Sequence, residues 1–245
     1  MMHKTILLAT ALVCLAAAGV QANQAYVIDR GGQRINGVKI ETDAQGNLTL
    51  FLDDTVRRTF RRGNYREAFI PQPDGVTRLQ AAYNANRFDL VLENAPRLFE
   101  EFKFLGWGGY IGYLEGMAYV RTNKFTEAMN TFRRIEPHAG SQIDKVREGQ
   151  VRALLGLNRL DDAQKLLEQM AATGDDSIAA FVFNARGKIL AEQGKQQEAV
   201  LEYLKTLLLF TDDQVRNERN EARTNVVALL TRLGDPRAQE FANIK

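Results

Sequence analysis

The 245-residue sequence holds one cysteine, one tryptophan, two histidines and five prolines. One cysteine makes no internal disulfide. With only two histidines beside it, the usual imidazole and thiolate metal cluster is not expected. Five prolines and 19 glycines exclude a collagen-like or proline-rich chain. Neither sign of charge dominates: 32 Lys and Arg against 30 Asp and Glu leave +2, so no whole-chain field would hold a polyanion, and nucleic acid is not an expected partner. There is no G-x-S-x-G, no S-x-x-K and no Walker-type loop. Gly106-Trp107-Gly108-Gly109 is glycine-rich but lacks the lysine and flanking strand that phosphate cradling needs. What remains is ordinary globular material, 45% hydrophobic and 25% charged, enough for a large domain or a small one joined to a larger one.

The opening reads as an export leader. Lys4, with His3, forms a short basic start, Ile6 to Val20 is apolar, and Val20-Gln21-Ala22 is a small-residue cleavage site. Residues 1–22 are therefore expected to be a signal peptide cut after Ala22. The apolar run is shorter than the roughly 20 residues that span a bilayer. Cys14 is preceded by Ala11-Leu12-Val13, where Val13 is too bulky for a lipoprotein acceptor site, so it reads as part of the leader. Cleavage would leave no cysteine, and no later segment reads as a transmembrane span. The expected location is the periplasm, or secretion beyond it.

Residues 23–70 carry period-two patterning. Ala25-Tyr26-Val27-Ile28 is β-prone. Ile35 to Thr42 alternates imperfectly, with Val38 and Ile40 on one face and Lys39 and Glu41 on the other. Leu48, Leu50 and Leu52 alternate with Thr49 and Phe51, and Val56 to Arg62 and Tyr65 to Ile70 are further strand-like runs. Turn signals separate them at Gly31-Gly32, Asp43 to Asn47, Asp53-Asp54 and Gly63-Asn64. Four or five short antiparallel strands suit an SH3-like barrel or a curled sheet, with a core small enough to lean on the segment C-terminal to it. Residues 71–75, Pro71-Gln72-Pro73-Asp74-Gly75, form a linker.

From 76 to 245 the apolar period becomes helical, and the chain repeats itself. Gly116, Tyr119, Asn123, Phe125, Ala128 and Phe132 define offsets 0, 3, 7, 9, 12 and 16. The same offsets give Val151, Leu154, Asn158, Leu160, Ala163 and Leu167, then Gly187, Leu190, Gly194, Gln196, Ala199 and Tyr203. A weaker copy runs through Leu79, Ala82, Asn86, Phe88, Val91 and Ala95. The small residue at offset 0 lets the two helices of a hairpin approach. Bulky residues at 3, 9 and 16 fill the space between them. Asn or Gly at offset 7 suits a left-handed helix end, and Ala at offset 12 lies at the tightest crossing. A hairpin of this kind cannot bury its own apolar face, so neighbours stack.

This pattern resembles the tetratricopeptide repeat family, with units slightly longer than the usual ~34 residues. The resemblance covers 75–210 and, loosely, 215–243, where Glu221 to Leu233 and Arg237 to Ile244 would form a capping hairpin. It implies a mainly α fold: a solenoid of four to five stacked hairpins behind the β-module, like exported bacterial repeat proteins with a small N-terminal β-module.

In that family the first helix of each hairpin lines a concave groove. Carried over, the groove residues are Tyr110, Tyr113, Met117 and Arg121, then Lys145, Glu148 and Arg152, then Phe181, Asn184 and Lys188. An aromatic end leading to a net basic stretch would suit an extended peptide with an acidic portion. The family's carboxylate-clamp residues are not found in phase. Phe102, Phe104, Trp107, Tyr110 and Tyr113 crowd one glycine-rich stretch and read either as inter-hairpin core or as groove lining. Arg57, Arg58, Arg61, Arg62 and Arg66 read either as a solvated strand edge or as a patch for an anionic surface; in a strand, Arg57 and Arg61 would share one face and the other three the opposite one. His138, after Glu136-Pro137, reads as a solvated loop residue, and Asp175-Asp176-Ser177 as a helix start.

No catalytic set, metal or cofactor is expected. The expected function is that of an exported non-enzymatic scaffold binding a protein or peptide of the cell envelope. Its rivals are a glycan-binding module or envelope enzyme, and a subunit that stacks with copies of itself. The oligomeric state is open.

Overall fold

The computed structural model describes residues 24–172, 175–211 and 213–243. The leader, Lys4, Cys14 and the cleavage site at Ala22 lie outside the described residues.

The N-terminal module has six short strands rather than four or five. They are β1 (Ala25–Asp29), β2 (Arg34–Gly37), β3 (Lys39–Thr42), β4 (Leu48–Phe51), β5 (Arg57–Phe60) and β6 (Tyr65–Phe69). They pair antiparallel into two three-stranded sheets, ordered β2-β1-β6 and β3-β4-β5. The single strand expected over 35–42 breaks between the sheets at Gly37 and Val38. A Cβ at Gly37 would lie 2.4 Å from the Phe51 carbonyl oxygen, and the Val38 amide donates to that same oxygen. Val38 is thereby turned outward, 69% exposed, instead of sharing a buried face with Ile40. Carboxylates build the turns: Asp43 accepts from the Gln45 and Asn47 amides, and Asp53 from those of Thr55 and Val56.

Val27, Leu48, Leu50, Phe60 and Ala68 form the module's core. Leu105, from a helix-connecting loop far along the chain, completes it, with Phe102 packed against it. So small a core gains apolar area from its neighbour.

The rest is helical. Ten α-helices occur among the described residues: α1 (Asp74–Asn84), α2 (Phe88–Phe102), α3 (Gly108–Arg121), α4 (Phe125–Ile135), α5 (Ile143–Gly156), α6 (Leu160–Ala171), α7 (Asp176–Glu192), α8 (Gln196–Leu209), α9 (Arg216–Leu233) and α10 (Ala238–Ala242). The Asp175 carboxylate caps α7, accepting from the Ser177 and Ile178 amides.

Each odd-numbered helix ends on a residue with positive φ: Asn86 at 56°, Asn123 at 58°, Asn158 at 56°, Gly194 at 78° and Gly234 at 69°. Two backbone bonds recur at each of these ends. The left-handed residue's amide donates three residues back, and the next amide donates five back, as Lys124 does to Tyr119 and Asp235 to Leu230. This closure satisfies carbonyls the helix leaves unpaired. Asn tolerates the left-handed region better than other side-chain-bearing residues, and Gly enters it without strain. The four offset-7 residues therefore set identical turns, and Gly234 makes a fifth of the same kind.

Packing follows the other offsets. Val91, Ala128, Ala163 and Ala199, all at offset 12, have no exposed surface. The Phe132 ring sits between Gly116 and Gly149, where an added Cβ would come within 2.4 and 2.2 Å of it; Gly187 seats Tyr203 in the same way. Each even helix through α8 packs against the odd helices before and after it. The odd helices also touch in sequence, α1 to α3, α3 to α5, α5 to α7 and α7 to α9. No helix among the described residues is long and apolar enough to cross a membrane.

Candidate functional site

The contact between successive odd helices places their outward residues side by side. A cavity of about 260 Å³ opens there, walled by α3, α5 and α7 and closed at one end by α9. Six of the ten groove candidates line it: Met117, Arg121, Arg152, Phe181, Asn184 and Lys188. Val120, Phe125, Leu155 and Ala185 add apolar surface, and Glu221 the one carboxylate. Three cations thus face a partly apolar hollow.

Several side chains are held in place. The Arg152 guanidinium lies 5.1 Å from the centre of the Phe181 ring. Asn184 is 3% exposed; its Nδ2 donates to the Glu218 carbonyl at 2.8 Å, tying α7 to α9, while its Oδ1 is buried without a partner. Arg121 and Lys188 are exposed at the rim.

The other four candidates lie toward the β-module end or below the rim. Tyr113 is largely buried, and its hydroxyl is pushed up to about 12, mainly by burial, with Tyr83, Glu148 and Arg152 around it. Burial likewise raises Glu148 to about 7, against the pull of Arg152 and Lys145, with Glu218 and Asp144 opposing its charge. Burial thus favours the protonated form of this carboxyl. Lys145 is exposed, and Tyr110 meets Trp107 edge-on at 6.2 Å.

The aromatic crowd divides. Phe102, Phe104 and Trp107 belong mainly to the joint between β-module and helices. Trp107 Nε1 donates to the Ile70 carbonyl at 2.9 Å, and its ring packs on Phe69. Phe104 lies under the Asp43–Asn47 turn, where a Cβ on Gly46 would come within 3.0 Å of its ring. Gly108, Gly109 and Gly112 permit close backbone and side-chain approach, each leaving under 3 Å for an added Cβ.

The five arginines do not follow strand parity, because β5 ends at Phe60. Arg57 and Arg58 stand exposed on an edge strand; Arg58 covers Phe60. Arg61 faces a wide depression shared with Glu41 and Asp43. Arg62 and Arg66 turn toward the joint, where they line a cleft with Lys103 and His138. His138 is not the solvated loop residue expected. It is half-buried, edge-on to Phe99 and Phe104 at 5.5 and 5.3 Å, because the loop between α4 and α5 folds back onto the end of α2.

The sequence reading missed Tyr83, which extends the groove's aromatic end onto α1, and Glu218 and Glu221 on α9. Tyr83 lies at the helix position just after an identified offset, so helical spacing could have found it. The α9 residues were hidden by reading that segment as a cap.

Three exposed leucines were missed as well: Leu201, Leu208 and Leu209 on α8 are each more than 60% exposed. Among the described residues no three His, Cys, Asp or Glu side chains are grouped as a metal site. No family model matches the chain, and no curated protein matches it.

Proposed function

We propose that the chain is an exported, non-enzymatic scaffold, a tetratricopeptide-like solenoid whose groove binds an extended segment of a cell-envelope protein. The observation that carries this reading is the cavity in which six residues from three successive odd helices meet. Its apolar wall suits one aliphatic or aromatic side chain, and Arg121, Arg152 and Lys188 suit acidic residues beside it. The repeated turns and offsets support the solenoid.

The test is a panel of peptides in which Leu or Phe is flanked by Asp and Glu, followed by fluorescence anisotropy. Wild type is expected to bind the acidic-apolar members and not their Lys-substituted counterparts. Arg121→Glu with Lys188→Glu, both on exposed side chains, is expected to weaken binding about tenfold or more, roughly 1.4 kcal/mol, with unchanged helicity. Equal affinity in that double variant would remove the groove from the account.

A second reading rests on the α8 leucines. Exposed apolar patches mark interaction surfaces, and a second copy could cover these side chains. Sedimentation that shifts with concentration, and that Leu201→Glu with Leu208→Glu abolishes, would favour self-association.

A further inference from the structure

We propose that the cleft between the β-module and the helices is a second binding site, for a phosphate group carried on a small organic body. It is independent of the groove. The cleft has a volume of about 410 Å³ and is formed by four separate segments: Tyr26 of β1, the stretch from Arg62 through β6, the loop between α2 and α3, and the loop between α4 and α5. That size falls within the range of about 300–1,000 Å³ usual for small-molecule sites.

The cations reach it from different directions, and their own neighbours orient them. The Arg62 guanidinium is stacked 4.8 Å from the Phe104 ring centre, and its Nη1 donates to the Tyr65 hydroxyl at 3.1 Å. Arg66 Nε donates to the Arg30 carbonyl, leaving its outer nitrogens without a side-chain acceptor among the described residues. Lys103, with its side chain only 18% exposed, comes from the far wall and is shared with Glu100 at 2.6 Å. His138 closes the floor. Against these stands one lining carboxylate, Glu67, which is engaged by the Tyr26 hydroxyl at 2.6 Å.

The geometry favours phosphate over carboxylate. A planar carboxylate is satisfied by one guanidinium fork. A tetrahedral oxyanion offers oxygens to donors on several sides. The remaining space, edged by Tyr26 and Phe69, leaves room for the body that carries it.

His138 supplies an internal reporter. Burial lowers its pKa first, then Arg62 and Lys103; a bond to the Lys103 carbonyl and the Glu100 charge pull the other way. Arg66 and Glu67 are the further charges facing the cleft. An anion placed among these cations would stabilise the imidazolium and raise that pKa.

The experiment is calorimetric titration of the protein with glucose 6-phosphate, inorganic phosphate, glucose and acetate at low salt, alongside an NMR pH titration of His138, assigned with His138→Gln. Glucose 6-phosphate is expected to release heat and to raise the His138 pKa. Glucose and acetate are expected to do neither, and Arg66→Gln should weaken binding about tenfold, as loss of a charge-assisted bond does. Binding of inorganic phosphate as tight as that of the sugar phosphate would identify the free ion as the source of the same chemistry. No heat with an unmoved His138, acetate binding as tightly as phosphate, or phosphate binding unaffected in Arg66→Gln would each overturn the proposal.

Discussion

The groove and the joint cleft are both lined by cations beside aromatic rings, yet they are assembled in opposite ways. The groove cavity takes one corresponding position from each of three helices: Met117, Arg152 and Lys188, each one residue after offset 0, line it where α3, α5 and α7 touch in sequence. The cleft comes from contacts that occur once. Trp107 reaches Ile70 across 37 positions, and Phe104 sits under a turn nearly sixty positions earlier. Repetition makes a surface that extends with each added unit, whereas a joint is made by loops that no unit copies. Changes in the array should therefore act on the whole helical region, and changes at the joint should act on the connection.

The largest effect is expected at Phe132→Ala. It empties a site enclosed by Gly116 and Gly149 on two different helices, and should cost about 3–5 kcal/mol in urea denaturation monitored by helicity. The β-sheet region should show no separate early transition. Loss of sheet signal before helix would reverse the comparison.

Next comes the pH dependence at Glu148. Its folded-state pKa of about 7 lies above the ordinary carboxyl value, so folding favours the protonated form. Below the unfolded value the group contributes nothing. As pH rises toward 7 the unfolded chain releases its proton first, and stability falls by roughly 2 kcal/mol after allowance for partial solvation. Above 7 the loss is complete. Glu148→Gln should flatten the curve of unfolding free energy between pH 5 and 8, and an unchanged slope would contradict this.

At the joint, Trp107→Phe removes the Nε1 donor and leaves the Ile70 carbonyl unpaired. About 1–2 kcal/mol is expected. The discriminating readout is calorimetry, in which one melting transition should broaden toward two as the β-module loosens from the helices.

The smallest effect concerns a turn. Asn158 holds φ at 56°, so Asn158→Ala should cost about 1 kcal/mol and Asn158→Gly close to nothing. Thermal melting of the pair decides it, and equal melting points would show that the left-handed position does not matter.

These differences explain what could be read from the chain. The hairpin turns were legible because only Asn or Gly relieves a left-handed helix end, and each recurs at the same offset. Six of the ten groove candidates share one cavity because residues spaced at helical intervals on α3, α5 and α7 face the same side. The β-module was read too simply. The apolar alternation slips by one position between Ile35 and Val38, where the chain changes sheets; that slip and Gly37, whose backbone approaches Phe51 closely, were the signals of a break. His138 and the cleft had no periodic signal at all, since the loop that buries His138 owes its course to packing against Phe99 and Phe104. The leucines of α8 fit a helical stripe, but periodicity does not say which stripes find a partner within the chain.

Hydrogen exchange of the protein with and without a bound acidic-apolar peptide tests the groove most directly. Amides in the last turns of α3 and α5 and through the middle of α7 should gain protection, while α2, α4 and α6 stay unchanged. Protection confined to the even helices, or to β5 and β6, would place the partner elsewhere and contradict the reading.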